Sequence, residues 1–452
     1  MPSLPPDILK FLEPFHQKGF QIYAVGGTVR GILMGKPVND WDFTTNATPE
    51  EIMQIFPHSF YENTFGTVGI PLEMDGVETI FEVTTFRSES GYSNARHPDK
   101  VTWATRVEDD LARRDFTINA IAFNGTDLVD PFDGQADIQQ KIIRCVGNPE
   151  VRFQEDALRL MRAVRQSAQL GFTIEERTLE SIQTNATRIK DISGERIRDE
   201  FLKLLTSAHP AEGVLLLRTS GILKQILPEV DICFGVDQKS PERHHIYDVG
   251  THLVESLRHC PSPDPITRFA TFIHDIGKVQ TYRKDPETSI ITFYNHEVVG
   301  EMMAVKIAER FRLSNSQKTK LVSLVRHHQF TVSEEQSDKA IRRFIRQIGV
   351  ELVDEMLALR TGDRLGSGAR ETSWRTELFK KRIEEVQYVP FAIKDLAISG
   401  HDIMKELDIK PGPLIGKILE KLFDEVDEEQ IPNDRETLLS RLPALKKEME
   451  NG

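Results

Sequence analysis

The chain has 452 residues, with 57 Lys and Arg against 70 Asp and Glu for a net charge of −13; it is too long for one ordinary core and predicts three or four compact units. That charge opposes nucleic-acid binding through the overall field, so any RNA contact has to use a local basic face. The scattered Cys145, Cys233 and Cys260 argue against a disulfide framework or a zinc finger and fit a reducing cytoplasm, no apolar run reaches membrane-spanning length, and MPSLPPDILK lacks the basic-then-apolar pattern of a leader.

An early apolar segment, FQIYAVGG, breaks at Gly26 and Gly27, and the next extended segment carries Asp40-Trp41-Asp42. Residues two apart on a strand share a face, which places these two Asp Cα atoms ~6.6 Å apart. Carboxylates that close repel each other unless a divalent cation lies between them, and such a cation could activate an attacking hydroxyl and hold a triphosphate. The glycines would let backbone N–H groups approach that triphosphate, and Arg30, one helical turn on, could bind its oxygens. In VETIFEVTTF, Glu82 interrupts an alternating apolar strand. A charge facing a core there needs a partner, which a metal shared with Asp40 and Asp42 would supply; on a half-exposed strand it would simply face outward.

Short strands and helices alternate to about residue 145 and read as a small α/β domain. From Glu150 onward the pattern turns helical. EDALRLMRAVRQSAQLGF predicts one helix stopped near Gly171, with further helices at about 175–187, 194–206 and 210–219. Asp156 and Arg159, three apart, would share a helix face and offer one pure acceptor and one pure donor. Cytosine and adenine present an amino donor beside a ring-nitrogen acceptor, whereas uracil and guanine present a carbonyl beside an N–H, so the pair fits C and A; an i,i+3 surface salt bridge is the alternative. GVDQKSPERHH suggests a boundary near 240, followed by a histidine-rich helical block to about 370 and a charged helical tail.

Taken together, GGTVRGILMGKPVNDWDFTTNATP, FGTVGI, FEVTTFR with GYSNARHPDKV, DLARRDFTINAIAF, EDALRLMRAVRQSAQLGF and SGERIRDEFLKLL resemble the bacterial class II tRNA nucleotidyltransferases, the CCA-adding enzymes related to bacterial poly(A) polymerases. The resemblance implies an α+β fold: a small mixed α/β nucleotidyltransferase head (1–145), then an all-helical neck (146–207), body (208–240), HD domain (241–370) and tail (371–452), the tail contacting tRNA. It implies Mg2+ on Asp40 and Asp42, with Glu82 as third catalytic carboxylate, and a nucleotide site of Gly26, Gly27, Arg30, Arg113, Asp115, Asp156, Arg159 and Arg162. Arg113, Arg114 and Asp115 would meet sugar and triphosphate and link domain movements, while Glu195 and Arg196 would support the neck helices. One position departs from the family pattern: Gly31 stands where an acidic residue is usual.

A second resemblance covers the histidine-rich block. His252, His274-Asp275 in FATFIHDIGK and Asp363 in TGDRLGSG resemble the ligand series of the HD-superfamily metal-dependent phosphohydrolases, a set suited to Ni2+, Mn2+ or Co2+. His296 and His327-His328 could bind substrate phosphate or a second ion. The implied function is template-independent addition of C and A to the tRNA 3′ end from CTP and ATP, by a cytoplasmic monomer or homodimer that grips the acceptor and elbow of tRNA, with an HD phosphohydrolase acting on phosphomonoesters or 2′,3′-cyclic phosphates. A-only or CC-only addition, poly(A) polymerase and protein uridylyltransferase are the alternatives. RSESGYSNARHPDKV, similar to the loop associated with terminal A addition, weighs against CC-only; the acidic tail DEVDEEQIPNDRE weighs against poly(A) polymerase.

Overall fold

The computed structural model describes residues 3–38, 40–61, 66–74, 76–90, 100–238, 246–330, 337–369, 374–386, 393–428 and 430–450. They form two compact units. One comprises Met1–Val236, Pro263–Pro265 and Lys306–Asn315; the other comprises Asp237–Ser262, Ile266–Val305 and Ser316–Gly452. The A-addition-like loop and the passage near 240 lie largely outside the described residues.

The first unit opens with α1 (Pro6–Gln17), whose Ile8, Phe11, Leu12 and Phe15 recur at helical spacing and are all buried. There follow β1 (Ile22–Val25), α2 (Gly27–Leu33), β2 (Asp42–Thr45), α3 (Pro49–Ile55), β3 (Phe60–Tyr61), β4 (Thr67–Met74) and β5 (Val77–Thr85). Next come β6 (Arg87–Ser90), β7 (Lys100–Trp103), α4 (Val107–Ala112), β8 (Ala122–Phe123) and β9 (Leu128–Val129). The sheet order is β3-β4-β5-β2-β1-β8-β9, with β2 and β5 parallel and the other neighbours antiparallel. Phe11 packs on Phe43 and Phe81 at 4.8 and 5.0 Å between ring centroids. Because strand side chains alternate, burying Phe43 and Phe81 under α1 turns their neighbours Asp42 and Glu82 to the opposite face.

Helices then dominate the unit: α5 (Gly134–Gln140), α6 (Pro149–Glu155), α7 (Leu158–Leu170), α8 (Glu176–Asn185), α9 (Gly194–Leu205), α10 (Pro210–Thr219), α11 (Ile222–Ile226) and α12 (Pro228–Asp231). The short strands β10 (Ile142–Ile143) and β11 (Thr173–Ile174) pair in parallel between them. Gly171 ends α7 in the left-handed region (φ 69°), where its N–H reaches the Ser167 carbonyl, as a glycine stop should.

The second unit holds α13 (Val249–His259), α14 (Pro265–Ile273), α15 (Lys278–Thr281), the hairpin β12 (Arg283–Lys284) and β13 (Ile291–Thr292), α16 (His296–Arg310) and α17 (Asn315–His327), the ends of some of these crossing the unit boundary. After them come α18 (Asp338–Ile348), α19 (Val353–Gly366), α20 (Trp374–Val386), α21 (Gly400–Leu407), α22 (Pro413–Asp427) and α23 (Arg435–Glu450). The last three close over their own core of Ile403, Ile418, Leu422, Leu438 and Leu442. No described helix is long and apolar enough to cross a membrane.

Candidate functional sites

The glycine turn and the carboxylates meet in the first unit. Gly26 takes φ 68°, a conformation that costs glycine nothing, and a Cβ there would come within 3.0 Å of Arg114 Nη1 and 3.8 Å of Asp42 Oδ2. Thr28, the residue after the pair, ties the turn down: its hydroxyl donates to the Asp40 carbonyl (2.9 Å) and accepts from the Asp42 N–H (3.2 Å).

Asp42 opens β2 and is the register partner of Glu82 on β5. Asp40, expected on the same strand, instead lies in an exposed bend before it, so strand periodicity does not relate the two aspartates. The possible core-facing placement of Glu82 is likewise corrected: it is exposed between buried Phe81 and Val83, on the face carrying Asp42. Burial and then the Asp40 charge push the Asp42 carboxyl above its ordinary range, with Arg114 opposing them. A carboxylate held up by burial and then by a like charge fits a cation site. Among the described residues, however, these head carboxylates do not form a group of three ligand atoms within 4.8 Å.

Beside this face runs a buried polar network. Arg30 donates to Asn119 Oδ1; the Asn119 amide donates to Asp115 Oδ1 (3.0 Å) and Gln166 Oε1 (3.1 Å); Arg162 donates twice to Asp115 Oδ2 (2.8 and 2.6 Å). Burial opposes ionisation of Asp115, but Arg162 overcomes it and holds the carboxyl well below its usual range. Arg165 then joins Glu200 at 2.5 Å. Arg113 and Arg114 both reach back to buried Asp110, at 2.8 and 3.4 Å, and Arg114 Nε is buried without a hydrogen-bond partner among the described residues. Thr28, Asn119, Gln166 and Glu200 were not foreseen as partners, because nothing local in the sequence says what an isolated polar residue will face.

The expected single helix through EDALR is broken. Asp156 has extended backbone angles (φ −146°, ψ 106°) between α6 and α7, and its Oδ1 accepts the Leu158 N–H at 3.0 Å. Asp156 and Arg159 therefore do not share a helix face; the Arg159 N–H donates to the Asp156 carbonyl at 3.0 Å, but their side chains turn to other partners. Arg159 donates to Glu155 (2.8 Å) and to the Arg113 carbonyl (3.1 Å), while Asp156 is gripped by Arg196 from α9 at 2.6 and 3.3 Å. Arg196, read as neck support, thus touches Asp156 directly.

In the second unit, glycines set the geometry. Gly362 and Gly366 flank Asp363 on α19, where a Cβ would meet the Ser256 carbonyl at 2.6 Å or run into the Ser256 hydroxyl and backbone, so α19 can lie directly on α13. Asp363 Oδ1 consequently sits 3.2 Å from His252 Nε2 and 3.6 Å from His274 Nε2. Gly277 leaves no room for a Cβ against the His296 carbonyl and Gly300 nitrogen, which draws α16 onto the end of the His-Asp segment.

Asp275 is shared between two groups. Its Oδ2 lies 3.4 Å from His252 Nε2 and 3.3 Å from His274 Nε2; its Oδ1 lies 3.1 Å from His296 Nε2 and 3.5 Å from His328 Nε2. His252 with His274 and Asp275, and Asp275 with His296 and His328, each bring one ligand atom per residue within 4.8 Å of the others. Of the His327-His328 pair, His328 enters the cluster. The Nδ1 atoms of His274, His296 and His328 bond the carbonyls of Thr271, Phe293 and Val325 at 2.7–2.8 Å, which orients each Nε2 inward. Burial opposes a charge on His274, but Asp275 and Asp363 raise its pKa to about 10; both carboxyls are held well below their usual range, against burial. Buried imidazoles and carboxylates converging on two points fit a pair of divalent ions.

Residues 22–144 match a family described as "Poly A polymerase head domain", 171–233 one described as "Probable RNA and SrmB- binding site of polymerase A", and 287–442 a family of tRNA nucleotidyltransferase domain 2. The chain is 33% identical over 434 residues to the CCA-adding enzyme of Lactiplantibacillus plantarum, covering 95% of this chain and 93% of that one. Over 200 residues it is 47% identical to the CCA-adding enzyme of Lactobacillus helveticus, covering 44% and 49%. The solved structure of the Bacillus stearothermophilus CCA-adding enzyme in complex with CTP aligns with a TM-score of 0.74 at 25% identity, over 99% of this chain and 100% of that chain. The Thermotoga maritima CCA-adding enzyme complexed with tRNA shares the fold at a TM-score of 0.57 and 20% identity, over 98% and 96%.

Proposed function

The chain belongs to the family of CCA-adding enzymes and poly(A) polymerases, and we propose that it adds C and A to the 3′ end of tRNA from CTP and ATP without a nucleic-acid template. The observation that carries this reading is the pairing of Asp42 and Glu82 across parallel strands, beside Arg114 and the glycine turn. Mg2+ held by Asp40 and Asp42 would neutralise triphosphate charge and lower the pKa of the attacking 3′ hydroxyl. Arg30 and Arg114 supply cations for the phosphate oxygens, so the protein contributes mainly positioning and charge. Asp156 accepts from the amino group of C or A, and Arg159 donates to the ring nitrogen, each held by a partner of its own. The domain scheme of head, neck, body and tail, with tRNA along the helical part, belongs to the same proposal.

Incubation with tRNA transcripts ending before C74, C75 or A76 tests it by counting the nucleotides added. Stepwise CCA completion supports full CCA addition; growth of the A76-lacking substrate alone would reassign the chain to A-only addition, and long A tails would reassign it to poly(A) synthesis.

A second reading is favoured by one observation, the sharing of Asp275 between two histidine groups. We infer that the second unit is an HD phosphohydrolase in which His252, His274, Asp275 and Asp363 would hold one divalent ion, and Asp275, His296 and His328 another. The ions would supply Lewis acidity and a hydroxide nucleophile at neutral pH. Hydrolysis of a phosphomonoester or 2′,3′-cyclic phosphate with Mn2+, Ni2+ or Co2+ is the test, and metal binding without turnover of either ester would sink it.

A further inference from the structure

The row that holds Asp42 and Glu82 continues across the sheet. Register pairs Asp42 on β2 with Glu82 on β5, Glu82 with Gly69 on β4, and Gly69 with Phe60 on β3. Residues in register share a face, so these four positions form one line, at about 4.8 Å per strand. Gly69 has no side chain, and the Phe60 ring takes the space above it: a Cβ there would meet ring carbons at 2.5 and 2.7 Å. The ring therefore lies beside Glu82, roughly one strand spacing away.

Packing on a glycine covers only one side of that ring. Phe60 is 45% exposed, and Ile80, two residues before Glu82 and on the same face, is 52% exposed. The two extend the carboxylate row into an apolar shelf.

The direction of transfer identifies what meets this shelf. Gly26, Gly27, Arg30 and Arg114, the groups suited to a triphosphate, stand on the β1 side of Asp42. In an in-line displacement the attacking and leaving oxygens lie on opposite sides of the phosphorus, so the acceptor approaches from the side of β5, β4 and β3. Its last nucleotide brings the attacking 3′ hydroxyl to the carboxylates and passes the Phe60 ring on the way. The base on that nucleotide changes at each step, from whichever base precedes C74 to the C residues added after it. A contact that reads hydrogen-bonding edges would serve one step and fail the next, whereas an aromatic face accepts any base.

Resting on the nucleotide-addition reading, we propose that Phe60 stacks on the terminal base of the RNA acceptor and so holds its 3′ hydroxyl beside Glu82. The contact is with the acceptor alone and leaves the choice of incoming base to Asp156 and Arg159.

The test is extension, by the full chain, of tRNA transcripts ending before C74 or C75, each made with its normal terminal base and with an abasic terminal nucleotide that keeps the 3′ hydroxyl. For the wild type, loss of the base is expected to lower kcat/KM for the transcript about tenfold or more, the range of one base stack. Phe60→Ala and Phe60→Leu are expected to impose a similar loss on the normal transcripts and none on the abasic ones, with KM for CTP unchanged. Phe60→Trp is expected to restore the wild-type values. Equal losses on normal and abasic transcripts, or no loss on either, overturn the stack. A loss with Ala that Leu does not share assigns Phe60 to packing on Gly69 and overturns it too. So does a loss accompanied by a change from dimer to monomer in sedimentation, which gives the shelf to a second copy of the chain. A wild-type chain that extends no transcript is a different result: it removes the nucleotide-addition reading, and the role of Phe60 falls with it.

Discussion

Arg196 holds Asp156 through both guanidinium ends, Nη2 to Oδ2 at 2.6 Å and Nη1 to Oδ1 at 3.3 Å, across the gap between α9 and the break that separates α6 from α7. The carboxylate is thereby aimed by a residue 40 positions away, while Arg159 is fixed separately by Glu155 and a backbone carbonyl.

Base choice should therefore respond to three residues. Asp156→Asn with Arg159→Ala is expected to let UTP and GTP gain on CTP and ATP, because Asn offers a donor as well as an acceptor and Ala removes the donor that rejects a ring N–H. Arg196→Ala should lower kcat/KM for CTP and ATP roughly 10- to 100-fold, the scale of a charge-assisted hydrogen bond of about 1.5–3 kcal/mol. The measurement is the ratio of kcat/KM across four nucleotides. If variants slow every nucleotide equally, selection lies elsewhere.

Asp40→Ala and Asp42→Ala are each expected to abolish nucleotide addition in a protein that still folds, since each removes a proposed Mg2+ ligand. Residual activity within about tenfold of wild type, with an unchanged melting curve, removes the Mg2+ assignment from these residues.

The two sites should separate by mutation. His274→Ala is expected to eliminate Mn2+ binding at its half of the cluster and any phosphate-ester hydrolysis, while tRNA extension persists. Loss of both activities in a folded variant argues against independent sites.

Metal affinity in the second unit should rise with pH. His274 carries a raised pKa of about 10, so below that value a metal must displace its proton. Affinity then falls as the pH falls, by up to about tenfold per unit for each proton released. Mn2+ titrations in buffers of different ionisation enthalpy measure the protons directly; affinity independent of pH between 6 and 9 contradicts the expectation.

Gly362→Ala puts a Cβ 2.6 Å from the Ser256 carbonyl and 3.1 Å from Thr271 Cγ2, both on well-packed helices. The expected cost is about 1–3 kcal/mol of stability, with weaker metal binding because α19 must carry Asp363 away from His252. A thermal melt and a Mn2+ titration read the two effects. Unchanged values in both contradict the account of glycine-dependent helix contact.

Much of this was legible in the sequence because it is written over short distances. Two adjacent glycines force a turn and Gly171 stops a helix, each through local backbone geometry, whereas the face that Glu82 takes follows only from the packing of Phe43 and Phe81 under α1. The His252, His274-Asp275 and Asp363 set was likewise visible, although spacing alone says nothing of how the residues meet. What only the tertiary structure decided are relationships between distant residues. Asp156 leaves the helix its neighbours propose, Arg196 becomes its partner, and Asn119 joins Arg30 to Asp115 and the α7 side chain Gln166. Asp275 is divided between two histidine groups because glycines on three different segments allow their backbones to touch. A local pattern carries each residue's own preference, but a buried polar group takes whatever partner the packing brings within about 3 Å, and packing is a property of the whole fold.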